Sequence, residues 1–227
     1  MGGQHHAQLQ PLGRRCHCRA PGYAPPGAQG PLRPHGGGPL TGPRQTLPHY
    51  LRPGLRLVFI GYNPAVYSAE AGHYYARRAN VFWKQLNESG LLARPAGPED
   101  DASLMDEAGI GFVDLCPRPT VRADELTAAE IAEGAQRLLG QLEANQPAYA
   151  VFSGRGIYVH FARHALALPR SALAGRPDGV QPERIGETIP YVVPSSSGLA
   201  SRWRAERLDL LKDLAKLLGP PPPSPRS

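Results

Sequence analysis

The stretch VFIGYNPAVYSAEAGHYYARRANVFWKQL, residues 58–86, decides the fold class of this 227-residue chain. An apolar run with strand character ends abruptly in Asn63-Pro64, and a polar, aromatic and basic segment follows it. A helical pattern begins only after Asn80, a residue type that commonly caps helices. A buried strand, a long loop and a helix in that order are typical of α/β proteins, whose loops carry function.

The same alternation of short apolar strands and helices continues along the chain. Strands are predicted at 55–61, 110–116, 148–154 and 188–194, and helices at 81–90, 98–109, 127–146, 156–166 and 199–218. Apolar strands separated by helices indicate a mainly parallel sheet that is buried on both faces. We therefore predict a single α/β domain over residues 47–218, with a central, mainly parallel sheet of four to five strands flanked by helices.

The two ends of the chain differ from this domain in composition. Residues 1–45 are rich in Gly, Pro, His and Arg and contain no acidic residue, and residues 219–227 are rich in Pro. Such segments bury too little apolar surface to offset the entropy of ordering. Both are therefore predicted to be disordered tails.

The chain is basic, with a formal net charge of +6, and most of its basic residues are arginines. A basic surplus fits a nucleic-acid partner, another acidic partner or a solvated surface. Arginine suits phosphate and base recognition, but a GC-rich genome also enriches arginine. Charge alone therefore leaves the class of partner open.

The cysteines and the apolar runs exclude other classes of protein. Three cysteines cannot supply an all-cysteine zinc site or an iron–sulfur cluster, and a reducing compartment is expected. The tract Cys16-His17-Cys18, with His5 and His6 nearby, matches no zinc spacing, so no metal site is predicted. No apolar run reaches membrane-spanning length and the N-terminus lacks a secretory core, so no membrane partner is predicted.

Polar residues follow all four predicted strands, at 61–64, 114–118, 153–155 and 194–198. They comprise an amide, a carboxylate, arginines and a turn rich in serine and glycine. In parallel sheets ligands bind at the carboxyl ends of the strands. These four ends are therefore expected to face one crevice.

Four segments in this order resemble the mismatch-specific uracil/thymine DNA glycosylases of the uracil-DNA glycosylase superfamily. They are GYNPA (61–65), YARRANVFWKQL (75–86), GFVDLCPRPTVRADEL (111–126) and VVPSSSGL (192–199). The resemblance runs from about residue 57 to about residue 215. It implies a single α/β domain that flips deoxyuridine out of DNA and cuts its N-glycosidic bond without a metal or other cofactor.

The resemblance gives Asn63 the role of the catalytic residue that holds the attacking water. An amide can orient water by donating and accepting hydrogen bonds, but it cannot take a proton near neutral pH. The alternative is that Asn63 is only a turn residue before Pro64.

Asp114 departs from the pattern, because some relatives carry a basic or neutral residue at the matching place. A carboxylate across the crevice from Asn63 could be a catalytic general base, or could stabilise an oxocarbenium-like sugar. Alternatively, Asp114 is structural and accepts loop N–H groups or pairs with a nearby arginine such as Arg118. The sequence leaves both interpretations open.

The expected base pocket lies in the loop after the first strand. By resemblance, Tyr75 stacks on the flipped base, a contact worth about 1–3 kcal/mol. Tyr62, Ser68 and His73 are the other expected walls. The alternative is that these side chains only cover the sheet, as Phe82 in the next helix is expected to do.

The serine-rich turn matches the second motif of the family and is expected to bind DNA. Its residues are Ser195, Ser196, Ser197, Gly198 and Leu199. Small residues before a helix suit a phosphate, Leu199 could fill the space left by the flipped base, and Arg202 or Arg204 could reach the orphan base or the backbone. The alternative is an ordinary serine-rich helix N-cap.

The sequence therefore favours a monofunctional DNA glycosylase that removes uracil, mainly opposite guanine, and leaves an abasic site. No candidate lysine nucleophile follows a strand. The expected partner is double-stranded DNA with uracil mismatches, the sequence leaves open whether single-stranded DNA is also a substrate, and a monomer is expected. The location would be the bacterial cytoplasm, at the nucleoid, or a eukaryotic nucleus. The alternatives are a nucleoside or nucleotide hydrolase of the same architecture and a non-catalytic mismatch sensor.

Overall fold

The computed structural model describes residues 46–222, apart from the side chain of Leu199. The predicted N-terminal tail with its Cys16-His17-Cys18 tract, and residues 223–227, lie outside this range. The helices and strands in chain order are β1 (Leu57–Gly61), α1 (Val66–Ala71), α2 (Phe82–Glu88), α3 (Leu104–Glu107), β2 (Ile110–Asp114), α4 (Ala128–Asn145), β3 (Tyr149–Phe152), α5 (Arg155–His164), α6 (Arg170–Leu173), β4 (Gly179–Val180), β5 (Ile189–Val192) and α7 (Arg204–Leu218). Short 3₁₀ helices lie at Pro98–Asp100, Ala123–Glu125 and Gly198–Trp203.

The strands form one five-stranded sheet in the order β2-β1-β3-β5-β4. The first four strands in this order are parallel, and β4 pairs antiparallel with β5 at one edge. The predicted α/β class and mainly parallel sheet are confirmed. The short strand β4 and the helices α1 and α6 were not predicted.

Helices cover the sheet on both faces. Leu57 and Phe59 of β1 belong to a core cluster with residues of α2 and α7, whereas Val58 and Ile60 belong to a cluster with residues of α4 and α5. All four are fully buried. Successive side chains of a strand point to opposite faces, so a strand covered on both faces must be apolar throughout.

Helix α4 begins as its sequence predicts. The Thr127 hydroxyl accepts a hydrogen bond from the Glu130 N–H at 3.2 Å, and the Glu130 carboxylate accepts one from the Thr127 N–H at 2.8 Å. This reciprocal capping box satisfies N–H groups that the first turn leaves unpaired. The helix ends at Asn145, two residues before Pro147, which cannot continue it.

Two predicted helices are interrupted. The segment 98–109 forms a 3₁₀ helix and the short α3, and between them the buried Asp101 carboxylate accepts a hydrogen bond from the Tyr74 N–H at 2.8 Å. The last predicted helix begins as the 3₁₀ helix Gly198–Trp203. Ala200 there is non-helical, with φ −98° and ψ 22°, and α7 continues from Arg204.

Residues 46–222 contain no helix with the length and apolar character needed to cross a bilayer. In the same range, no group of three or more His, Cys, Asp or Glu side chains is placed to hold a metal ion. Cys116, which lies in this range, is buried and not in a disulfide.

Candidate active site

A cavity of about 480 Å³ lies at the carboxyl ends of the parallel strands. Each of β1, β2, β3 and β5 contributes polar residues just at or after its end, namely Asn63, Asp114, Ser153 and Ser195. Residues far apart in the sequence therefore share one crevice, as the parallel topology requires.

The Asn63 side chain is held by the loop that follows β2. Its Nδ2 donates to the Thr120 hydroxyl at 2.7 Å and to the Arg118 carbonyl at 2.9 Å. A backbone carbonyl only accepts, so these contacts fix which end of the amide carries the nitrogen. The Asn63 Oδ1 makes no hydrogen bond within residues 46–222 and remains available as an acceptor.

The loop itself is fixed by an extension of the pairing between β1 and β2. The Leu115 N–H donates to the Gly61 carbonyl at 2.9 Å, and the Cys116 N–H donates to the Tyr62 carbonyl at 2.8 Å. Thr120, which is 2% exposed, then forms a parallel β-bridge with Ala65, two residues after Asn63. The sequence reasoning missed Thr120, although it stands in the motif segment 111–126.

Asp114 is the last residue of β2 and lies directly beside Gly61 of β1. A Cβ atom on Gly61 would lie 2.1 Å from the Asp114 Oδ1, so only glycine leaves room for this carboxyl group. The Asp114 Oδ2 is buried and has no hydrogen-bond partner within residues 46–222. The structure does not pair Asp114 with Arg118, because Arg118 binds the Glu130 carboxylate instead.

The environment of Asp114 makes its carboxyl group a weaker acid than an exposed aspartic acid. Burial raises the pKa of Asp114 to about 7, and the positive charge of Arg137 opposes this rise. The Arg137 Nη2 donates to the carbonyl oxygens of Asp114 at 3.1 Å and of Leu115 at 2.8 Å, which anchors the end of β2. A carboxyl group with a pKa near 7 can both take and give a proton at neutral pH.

Tyr75 forms an aromatic wall of the cavity. Its ring stacks on Phe82 with a centroid distance of 3.9 Å and an interplanar angle of 10°. Its backbone has a φ of 52°, which is uncommon for a bulky residue. The Tyr75 hydroxyl is buried and meets no hydrogen-bond geometry in the described range. Burial and the Asp114 charge raise its pKa, and the nearby Ser153 hydroxyl and Arg207 oppose this rise. As predicted, Phe82 packs in the core, where it supports this ring.

Two further predicted pocket residues line the cavity, and one does not. Tyr62 and Ser68 face it, and the Ser68 hydroxyl accepts a hydrogen bond from the Ala76 N–H at 3.3 Å. His73 was expected as a wall but does not line the cavity. Its Nδ1 lies 3.2 Å from the Asp101 Oδ1, an interaction that ties the loop to the neighbouring segment.

The serine-rich turn lines the cavity from Ser195 to Gly198. The Ser195 hydroxyl accepts a hydrogen bond from the Ser197 N–H at 3.2 Å, so it shapes the turn. The Ser197 side chain does not cap the following 3₁₀ helix, which does not fit the simple N-cap alternative. The side chain of Leu199 lies outside the described part of the structure, and its predicted wedge role stays a prediction.

Arg202 does not line the cavity. Its guanidinium carbon lies 4.9 Å from the centroid of the Trp203 ring, which is 41% exposed. Its predicted contact with DNA therefore concerns the surface outside the cavity.

The structure adds residues that sequence reasoning did not single out. Ser153 has a buried hydroxyl without a partner in the described range, and Val121 lines the cavity with 76% of its surface exposed. Arg77, by contrast, was a sequence candidate for a phosphate contact, with a solvated loop charge as the alternative, and it lines the cavity. Ser153 stood at a predicted strand end, but nothing in its sequence context shows that its hydroxyl is unpaired.

Comparisons with known proteins agree with this geometry. The family model of the uracil DNA glycosylase superfamily matches residues 48–218. The fold is similar to the solution NMR structure of a candidate uracil DNA glycosylase from Methanosarcina acetivorans, with a TM-score of 0.52 and 19% sequence identity over 77% of this chain and 98% of that chain. At this identity the second comparison shows the fold alone, whereas the family model covers most of the chain. The protein therefore belongs to the uracil DNA glycosylase superfamily.

Proposed function

We propose that this protein is a monofunctional DNA glycosylase that hydrolyses the N-glycosidic bond of deoxyuridine, mainly at U·G mismatches. The observation that carries this proposal is the meeting of the Asn63 amide and the unpaired Asp114 carboxyl group in one cavity beside an aromatic wall. Asp114 is the carboxylic acid among the described residues that line this cavity.

The aromatic wall supports binding of a flipped base. Tyr75 is held by its stack on Phe82, so its position is largely set before a base arrives. Stacking on an aromatic side chain contributes about 1–3 kcal/mol per base. Flipping itself costs a few kcal/mol, and this cost is smaller at a mismatch, which favours U·G over U·A.

Bond cleavage requires a water molecule near the sugar and a group that stabilises positive charge on it. The Asn63 Oδ1 can accept a hydrogen bond from the water and so orient it. The amide cannot take the proton, whereas the ionised Asp114 can, and its negative charge also favours an oxocarbenium-like sugar. In this mechanism Asn63 positions the water and Asp114 is the general base.

The product follows from the residues around the cavity. Its described lining contains no lysine that could form a Schiff base with the sugar. The reaction therefore ends with an abasic site and free base, without strand cleavage. A contact of Ser195, Ser197 and Gly198 with a phosphate of the flipped nucleotide is supported by their position in the cavity lining, to which Arg77 adds positive charge.

The test is base release from labelled duplexes that carry U·G, U·A or T·G and from single-stranded U, followed by alkali and a denaturing gel. We expect release from U·G above the others, and a loss of at least about tenfold in Asn63→Ala. Asn145→Ala at the end of α4 is the matched control, because that end lies at the amino ends of the strands.

Two outcomes would contradict the proposal. Release of uracil from free deoxyuridine or its monophosphate, without release from DNA, would indicate a nucleoside or nucleotide hydrolase. Binding to mismatched DNA without base release would indicate a non-catalytic sensor.

A further inference from the structure

Arg207 of α7 is a buried cation to which the mechanism above gives no role. Its side chain is 1% exposed, and its Nη1 donates to the Gln85 Oε1 at 2.7 Å. Its Nε and Nη2 are buried without a hydrogen-bond partner within residues 46–222. No carboxylate in that range forms an ion pair with it.

A buried guanidinium with unpaired N–H groups destabilises a fold. Burial lowers the pKa of Arg207 to about 10, so it still carries its charge at neutral pH. An uncharged side chain of similar length, such as methionine, could fill much of the same space without this cost. Packing alone therefore does not explain an arginine at this position.

Arg207 packs against Phe82, the ring that supports the aromatic wall of the cavity. Its guanidinium carbon is 5.4 Å from the centroid of the Phe82 ring, and the Tyr75 ring stacks on that same ring at 3.9 Å. Its charge also acts on Tyr75. Burial and Asp114 raise the pKa of the Tyr75 hydroxyl, whereas the positive charge of Arg207 lowers it. The cation therefore adds positive potential to the wall on which a base would stack.

On the basis of the proposed function, we propose that Arg207 is a positioning residue that stabilises the negative charge of the departing base through the Phe82–Tyr75 stack. The base is neutral in the bound substrate and becomes anionic as the glycosidic bond breaks. A fixed positive charge in a buried site therefore acts mainly on the transition state. Its effect should appear in the rate of cleavage and not in the affinity for DNA.

The test compares wild type with Arg207→Met in two measurements. The first is the single-turnover rate of uracil release from a U·G duplex. The second is the affinity for the same duplex with a fluorine at C2′ of the deoxyuridine, which blocks cleavage. We expect the rate to fall about tenfold, which corresponds to about 1.4 kcal/mol, and the affinity to stay within about twofold.

A third measurement separates charge stabilisation from damage to the fold. The electron-withdrawing fluorine of 5-fluorouracil makes it a better leaving group, so its release depends less on outside stabilisation. The loss in Arg207→Met should therefore be smaller for 5-fluorouracil, below about threefold. The melting temperature should be equal to or above that of wild type, because a buried unpaired charge is removed.

Two further variants keep the test decisive. Arg207→Gln is also uncharged and can still bind Gln85, so it gives the same readouts if the methionine variant does not fold. Arg52→Met removes an arginine that binds Asp106 outside the cavity and controls for loss of charge in general.

The results distinguish a failure of the proposed function from a failure of the inference about Arg207. If wild type does not release uracil, the proposed function falls and this inference falls with it. If wild type is active, equal losses for both bases together with weaker binding would reduce Arg207 to a structural residue. Unchanged rates in both uncharged variants would overturn the inference and leave the proposed function intact.

Discussion

At the scale of single residues, the fold makes Asp114 an unusual acid. The side chain is buried over Gly61 and beside the Tyr75 hydroxyl, and no described group donates a hydrogen bond to its Oδ2. Water would stabilise the charged form, and burial removes that stabilisation. The nearby Arg137 offsets only part of this loss, because burial is the larger effect.

The raised pKa of Asp114 predicts how stability changes with pH. Below the unfolded value of 3.8 both states are protonated, whereas between that value and about 7 the folded state binds more protons. Wild type should therefore lose stability as pH rises through this window. Asp114→Asn should be more stable than wild type by up to about 4 kcal/mol at pH 8, with a difference near zero at pH 3. Denaturant unfolding at several pH values measures this; a difference that does not change with pH would contradict it.

Gly61 is predicted to be needed for the position of this carboxyl group. A methyl group in Gly61→Ala would overlap the Asp114 Oδ1, so we expect a destabilisation of about 1–3 kcal/mol and a slower release of uracil. The control is Gly140→Ala in α4, where a Cβ meets no atom within 4 Å and should stabilise by about 0.5–1 kcal/mol. Thermal melting and single-turnover rates test both, and full activity in Gly61→Ala would argue against the geometry.

At this scale the sequence showed the identity of the candidate residues but not their environments. Asn63 and Asp114 could be found because each follows an apolar strand. The Tyr75 hydroxyl near Asp114 belongs to a residue that is distant in sequence and has a positive φ, so this neighbour cannot be read from the local sequence. His73 was misassigned because a loop has no period from which the direction of a side chain can be read.

At the scale of elements, the loop after β2 controls the Asn63 amide. The β1–β2 pairing continues past both strand ends and brings the Thr120 hydroxyl within 2.7 Å of the Asn63 Nδ2. An amide held at its nitrogen presents its oxygen in one direction. The orientation of the attacking water would thus depend on a residue that need not touch it.

Replacement of Thr120 tests this dependence. Thr120→Val keeps the shape but removes the hydroxyl, and the lost hydrogen bond should reduce the rate of uracil release by about 3- to 10-fold. Thr120→Ser keeps the hydroxyl and should retain most of the activity. If single-turnover assays show the same rate for both variants, the hydroxyl does not position Asn63.

The long elements were predictable and the short ones were not. The four parallel strands and the helices α4 and α5 follow apolar patterns, and α4 also has a clear capping signal at Thr127. The strand β4 has only two residues, too few to show an alternation of apolar and polar side chains. It is defined by its antiparallel pairing with the edge of β5. The segment 98–109 is interrupted by Asp101, whose contact with Tyr74 is tertiary and leaves no local signal.

At the scale of the whole molecule, the positions of individual arginines say more about a DNA contact than the net charge does. The net charge of +6 comes from six arginines in residues 1–45 and 223–227, which contain no acidic residue, whereas residues 46–222 hold 19 basic and 19 acidic residues. Within this balanced range, Arg77 lines the cavity and forms no ion pair with another described residue. By contrast, Arg52 pairs with Asp106 at 2.6 Å. The sequence indicated the charge, but only the fold shows which arginines remain unpaired.

Affinity for DNA should therefore fall as salt rises. Arg77→Ala should reduce the slope of log affinity against log salt by about 1, because one phosphate contact is lost. Arg52→Ala, whose charge is already offset by Asp106, should leave the slope unchanged. Fluorescence anisotropy with a U·G duplex measures both, and equal slopes in wild type and Arg77→Ala would exclude Arg77 from the DNA contact.

The most direct test of the central claim is the pH dependence of single-turnover uracil release from a U·G duplex by wild type and Asp114→Asn. If Asp114 is the general base, the wild-type rate rises with pH through about 7, where the carboxyl group ionises, and then levels off. Asp114→Asn should be slower by on the order of 10²–10⁴ and should lack this rise, whereas the exposed control Asp106→Asn should match wild type. Equal rates in wild type and Asp114→Asn, or the same pH profile in both, would contradict the account.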